Sequence, residues 1–130
     1  MKFVIQRVTQ ASCTVEGQVT GEIDKGFCVF IGVSQTDNEE IADKMIKKMI
    51  NLRIFEDENG KTNLNIDQVG GGVLVVSQFT LFGDCRKGKR PSFTAAGRPD
   101  YANEMYEKFM ETCRARGFAV EHGEFGADMQ

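Results

Sequence analysis

A mixed α/β fold with two main helices is predicted by three features of the sequence. The runs Phe27-Cys28-Val29-Phe30-Ile31-Gly32-Val33 and Val73-Leu74-Val75-Val76 are apolar on both pleat faces, as strands covered on both sides must be. Two longer stretches, from about residue 38 to 50 and from 99 to about 116, repeat apolar residues at helical spacing. Short polar-apolar segments flank Gly17-Gln18 and Asn59-Gly60, the chemistry of tight hairpins. With 130 residues, 41% of them apolar, the chain can bury one ordinary core, so a single domain over 1–130 is expected.

The elements follow in order. Phe3, Ile5 and Arg7 alternate with Val4, Gln6 and Val8, giving a first strand that carries Arg7 at the end of an apolar row. Its guanidinium either clamps a carbonyl or carboxylate of a neighbouring segment or snorkels to the edge. Residues 13–16 and 19–23 form a hairpin in which Gly17 leads the turn. The run Phe27 to Val33 is a central strand. Thr36-Asp37-Asn38-Glu39 has capping-box spacing, and behind it Ile41, Ala42, Met45, Ile46, Met49 and Ile50 form the buried stripe of the first helix. Lys44, Lys47 and Lys48 fall on its solvated face. A second hairpin joins 52–56 to 61–66, and Gly70-Gly71-Gly72 leads flexibly into the next strand. Pro99 suits a first helical position, and Ala102, Met105, Tyr106, Phe109 and Cys113 give the second helix its core stripe before Gly117 ends it. Residues 118–121 return as a strand. If Phe125 to Met129 make one helical turn, those two side chains cover the same spot.

The chemistry concentrates where the buried strand at 73–76 continues into Ser77-Gln78-Phe79-Thr80-Leu81-Phe82. Read as extended through Phe82, the strand sets Gln78 and Thr80 on one face and Ser77 on the other. A buried amide or hydroxyl without a partner costs roughly 1–3 kcal/mol, so three in succession call for a hydrogen-bond network or a ligand. The bland alternative is a strand that simply leaves the core for water. Next comes Arg86-Lys87-Gly88-Lys89-Arg90-Pro91-Ser92-Phe93, four cations within five positions in a chain whose net charge is -3. That contrast makes a local anion-seeking loop, with Phe93 as a stacking surface, and argues against a general positive field for nucleic acid.

Other classes fit poorly. Cys13, Cys28, Cys85 and Cys113 form no C-x-x-C pair, and His122 is the single histidine, so neither a metal site nor a cofactor is expected. The same scarcity weakens a Ser-His-Asp or Cys-His reading. No apolar run is long enough to cross a bilayer and the N-terminus turns polar early, so a soluble cytoplasmic protein without membrane contact is expected.

Four segments in the right order resemble the D-aminoacyl-tRNA deacylases, formerly called D-tyrosyl-tRNA deacylases. They are Ile5-Gln6-Arg7-Val8 with Ala11-Ser12-Cys13-Thr14-Val15, then Ser77-Gln78-Phe79-Thr80-Leu81, then Arg90-Pro91-Ser92-Phe93, and finally Phe125-Gly126-Ala127-Asp128-Met129-Gln130. The resemblance implies a homodimer of three-layer β/β/α sandwiches that hydrolyses the ester joining a D-amino acid, or glycine, to the terminal adenosine of tRNA. It implies that Ser77, Gln78, Phe79 and Thr80 line the aminoacyl pocket, with Phe125 and Met129 beside the adenine. It implies too that Arg7 holds a Gly-Pro turn entering from the partner subunit. Phe93 is expected to contact substrate, and Arg86, Lys87, Lys89 and Arg90 tRNA phosphates. The family pattern continues past Met-Gln with a last strand and the Gly-Pro segment that rejects L-aminoacyl groups, whereas the sequence given stops at Gln130. A protein ending there is expected to dimerise weakly and to discriminate D from L poorly.

Two mechanisms stay open at this point. Thr80 is the nucleophile, or Gln78, Thr80 and main-chain N–H groups position the ester and a water. The competing class is a non-enzymatic dimeric nucleic-acid-binding module, or a catalytically impaired homologue.

Overall fold

The computed structural model describes residues 1–130 and orders them as β1 (Lys2–Val8), β2 (Ala11–Val15), β3 (Gln18–Ile23), β4 (Gly26–Gly32), α1 (Glu39–Asn51), β5 (Phe55–Glu56), β6 (Thr62–Leu64), β7 (Gly72–Ser77), α2 (Pro99–Ala115) and β8 (Val120–His122). A four-stranded sheet of order β1-β4-β7-β8 forms the middle layer. β1 runs antiparallel to β4, while β7 is parallel to both β4 and β8. Each parallel step is made through a helix, α1 between β4 and β7 and α2 between β7 and β8, as parallel strands require.

The pleat of the two central strands divides the core. Phe27, Val29 and Ile31 of β4 and Val73 and Val75 of β7 face the helices, where Ala42, Ile46 and Met49 of α1 and Met105, Phe109 and Cys113 of α2 complete one cluster. Leu74 points to the opposite face, against Cys13 of β2 and Ile23 of β3, with Cys28 and Met129 packed around them. Both faces are thus covered, which is why these strands show no polar alternation. The result is the three-layer β/β/α sandwich, with the β2-β3 hairpin on one side and both helices on the other. Each fully buried side chain such as Phe27 or Phe109 contributes roughly 1.5–3 kcal/mol through area removed from water.

Several boundaries differ from the sequence-based expectations. The first hairpin turns at Glu16-Gly17, one residue earlier than expected, because Val15 pairs with Gln18 and both turn residues take positive φ, 49° and 77°. That is the primed-turn backbone whose twist matches the strands. The cap of α1 is Asn38, whose side chain accepts from the Ile41 N–H at 2.9 Å, not Thr36 of the capping box. Phe125 and Met129 share no helical turn. Met129 instead bridges to Val15, and Gln130 and Thr14 exchange N–H···O bonds of 2.7 and 2.9 Å, so the closing segment lies as a strap along β2. The largest difference concerns β7, which ends at Ser77 rather than running to Phe82. Its pairing with β4 stops at Ile31–Ser77, and Phe79–Phe82 curl into a 3₁₀ turn closed by Leu81 N–H to the Gln78 carbonyl and Gly83 N–H to the Thr80 carbonyl. Gly32 permits this, since a Cβ there would lie 3.1 Å from Leu81 Cβ and 3.2 Å from the Gln78 carbonyl oxygen.

Candidate active site

The turn after β7 opens onto a cavity of about 860 Å³. Its walls come from distant parts of the chain. Cys28, Phe30 and Ile31 of β4 and Leu74, Val76, Ser77 and Gln78 form the back. Tyr106, Ala102 and Arg98 close the helix side, and Phe125 to Gln130 supply the strap. Gln35, Phe93, Thr94, Ala96 and Gly97 form the remaining rim. The rim is built by backbone pairing: Ser34 bridges to Ala96, Gly97 N–H donates to the Val33 carbonyl at 2.7 Å, and the Gln35 amide donates to the Thr94 carbonyl.

Among the residues expected at the site, Ser77, Gln78, Phe79, Phe93, Phe125 and Met129 all line this cavity. Ser77 and Gln78 are half-buried, while Phe79 and Thr80 are exposed, so the polar groups sit at a mouth and not in a sealed core. Thr80 lies just outside the lining. Its hydroxyl is bonded to the Gln78 side-chain amide, which as a donor cannot act as a base. His122 is not at the cavity either, and its Nδ1 lies 2.6 Å from the Gly123 carbonyl oxygen. The leading N–H groups of the 3₁₀ turn, on Phe79 and Thr80, have no partner within the turn, and no side chain caps it.

Arg7 stands apart. Its Nη1 donates to the Ile54 carbonyl at 2.9 Å and its Nη2 lies 3.9 Å from Glu56, in a shallower polar cleft with Gln10 and Lys25. Arg7 bonds that carbonyl from an exposed position, its side chain 44% accessible, so it combines the contact expected of a buried clamp with the edge placement of a snorkelling arginine. In β1 it is paired with Phe27, at the end of β4 away from Ile31 and Ser77. The basic loop also lies outside the cavity lining. Asp84 and Ser92 pair across its base, and Arg86 folds back onto Asp84 through contacts of 2.7 to 3.1 Å. The Arg86 hydrogen bonds hold the Asp84 carboxyl down at about 2. Lys87, Lys89 and Arg90 remain exposed and without ion pairs.

Sequence reasoning missed Gln35, Thr94, Arg98 and Tyr106 at this site. Tyr106 belongs to the helical stripe, yet it lines the cavity and its hydroxyl donates at 2.8 Å to the carbonyl of Val75, two residues before Ser77. Burial pushes its phenol well above the usual range. Burial, and then the Cys13 thiol beside it, likewise raises Cys28.

The family model for D-Tyr-tRNA(Tyr) deacylase matches residues 4–130. The chain belongs to this family. It is 54% identical over 130 residues to a D-aminoacyl-tRNA deacylase of Shewanella baltica (strain OS185), covering 100% of this chain and 90% of that protein. It is 51% identical to one of Thermosipho africanus (strain TCF52B), covering 100% of this chain and 87% of that protein. A solved structure of a c-Myc DNA Unwinding Element Binding Protein superposes with a TM-score of 0.93 at 41% identity, covering 100% of this chain and 89% of that one. A probable eukaryotic D-amino acid tRNA deacylase, 16% identical, shares the fold with a TM-score of 0.82 over 98% of this chain and 91% of that one. Within the deacylase family, the cavity at the end of β7 gathers the chain's Ser77-Gln78-Phe79 segment and its Phe125–Met129 strap into one place.

Proposed function

We propose that the chain hydrolyses the ester linking a D-amino acid, or glycine, to the 3′-terminal adenosine of tRNA. One observation carries the reading: a single cavity joins the polar turn Ser77-Gln78-Phe79 to the apolar strap Phe125–Met129, in a chain at least 51% identical to D-aminoacyl-tRNA deacylases. The turn suits the ester and the strap suits a nucleobase. The hydrogen bond that the Thr80 hydroxyl makes is with the Gln78 amide, a donor and not a base, which favours positioning over a covalent step. In this reading Gln78, its hydrogen bond to Thr80, and the N–H groups opening the turn hold the ester carbonyl and a water, with the ribose hydroxyl of the substrate assisting. A preorganised oxyanion donor is worth about 2.7–4 kcal/mol in the transition state. Two copies share active sites and act in the cytoplasm beside the translation machinery. Arg7, away from the cavity of its own chain, serves the partner-facing side.

Deacylation of D- and L-tyrosyl-tRNA tests this directly. Gln78→Ala is expected to lower turnover by about 10²–10³-fold. Thr80→Ala is expected to retain measurable turnover with no acyl-enzyme in acid-quenched samples; a trapped acyl-enzyme refutes the positioning mechanism. Absence of D-tyrosyl-tRNA hydrolysis by the wild-type chain refutes the assignment and leaves nucleic-acid binding, the property in the name of the 41% identical DNA-binding relative, as the reading to pursue.

A further inference from the structure

Phe79 and Phe93 are the aromatic side chains that the fold leaves most open, 57% and 38% exposed. They meet edge to face with ring centroids 5.3 Å apart. Both line the cavity, so the pair stands at its mouth. Neither belongs to either apolar core cluster. Phe93 also rests over Gly83, where a Cβ would lie 3.2 Å from its ring, so the pair is held in place from below.

The same rings adjoin the root of the basic loop. Phe93 follows Ser92, which pairs with Asp84 across the loop base by reciprocal bonds of 2.7 and 2.8 Å. Asp84 ties down Arg86, leaving Lys87, Lys89 and Arg90 as exposed, uncommitted cations in the loop whose base lies next to Phe93 in the chain. Open π-faces at the root of a loop of unpaired cations, in a chain of net charge -3, suit a flexible polyanion that offers bases for stacking. Duplex bases are already stacked on one another and present no such faces.

We propose that Phe79 and Phe93 form a shelf at the cavity mouth on which an unpaired nucleobase of single-stranded RNA stacks, while Lys87, Lys89 and Arg90 neutralise adjoining phosphates. This rests on the RNA-acting reading above and extends it from the terminal adenosine to the strand that leads to it. The shelf makes an unpaired 3′ strand, and not the tRNA duplex, the part of the substrate that the loop face grips.

The test is a fluorescence-anisotropy titration with a labelled single-stranded RNA of about eight nucleotides, unacylated, against a blunt RNA duplex. Phe79→Ala and Phe93→Ala are expected to weaken single-strand binding about 5- to 150-fold each, the range of one base–aromatic stack. Phe93→Tyr restores it, whereas Phe93→Leu, which keeps the packing over Gly83 without a π-face, does not. The aromatic variants leave the salt dependence unchanged, while Lys89→Ala reduces the log–log slope by about 0.7. Wild-type affinity in the Ala or Leu variants, or equal losses for single strand and duplex, overturns the shelf. Because the probe carries no ester, this outcome is independent of the deacylase reading, which fails separately if D-tyrosyl-tRNA survives incubation with the wild-type chain.

Discussion

Tyr106→Phe removes one hydroxyl from the wall behind the candidate site, and the structure sets the size of the effect. The hydroxyl donates to the Val75 carbonyl at 2.8 Å, in a residue only 4% exposed. Val75 also accepts from the Gly123 N–H at 3.0 Å, so its oxygen keeps a donor when the tyrosine hydroxyl is lost. The loss is therefore that of one hydrogen bond with its acceptor still satisfied, about 0.5–1.5 kcal/mol, and not the roughly 1–3 kcal/mol of an orphaned buried group. For a chain of this length about 1 kcal/mol lowers Tm by roughly 3–5 °C. Urea unfolding followed by circular dichroism measures it, with an unchanged m-value expected because the surface exposed on unfolding is the same. Tyr106→Ala removes in addition the ring that packs on Phe125 at 6.1 Å, so a loss of about 3–5 kcal/mol is expected, together with a loosened strap and a raised KM. A Tyr106→Phe loss beyond about 2 kcal/mol refutes the two-donor reasoning.

Other expectations concern the sheet, the loop and the thiols. Gly26→Ala places a methyl into the Gly72 carbonyl where β4 and β7 begin to pair, and is expected to cost at least the roughly 1–3 kcal/mol of overpacking, read by denaturant midpoint. The Asp84 carboxyl, depressed chiefly by its hydrogen bonds from Arg86, should titrate by ¹³C NMR near about 2. Its contribution to loop order is therefore full above the ordinary carboxylate range and lost as pH falls through about 2; a midpoint near the ordinary value of about 4 refutes the pairing. Asp84→Asn frees the Arg86 cation and should tighten RNA binding, with a salt slope steeper by about 0.7. A chromogenic disulfide should modify exposed Cys85 first in the native protein and Cys113 only on unfolding, since burial lifts the Cys113 thiol to about 12. Fast labelling of Cys113, checked by mass spectrometry after digestion, counts against that packing.

Local pattern was enough to mark the main elements, while the layers they form were expected from the likeness to a family. Periodicity marked α1 and α2 because a helix must turn one stripe to the core, and uninterrupted apolar runs marked β4 and β7 because both their faces are covered. The residues that assemble the cavity were legible in part. Ser77, Gln78, Phe93 and Phe125 stood out by type and by their likeness to a family, since polar groups at a buried strand end and aromatics beside a basic loop are locally conspicuous. Long-range pairing settled the rest. That β7 stops at Ser77 depends on how far β4 extends beside it, a partner strand far earlier in the chain. Gln35, Thr94 and Arg98 reach the cavity only because residues 33–35 pair with residues 95–97, an interaction with no local signature. Arg7 lies at the far end of β1 and Thr80 turns outward for the same reason: local pattern specifies which face a side chain takes, whereas distance along a strand is set by register with another strand.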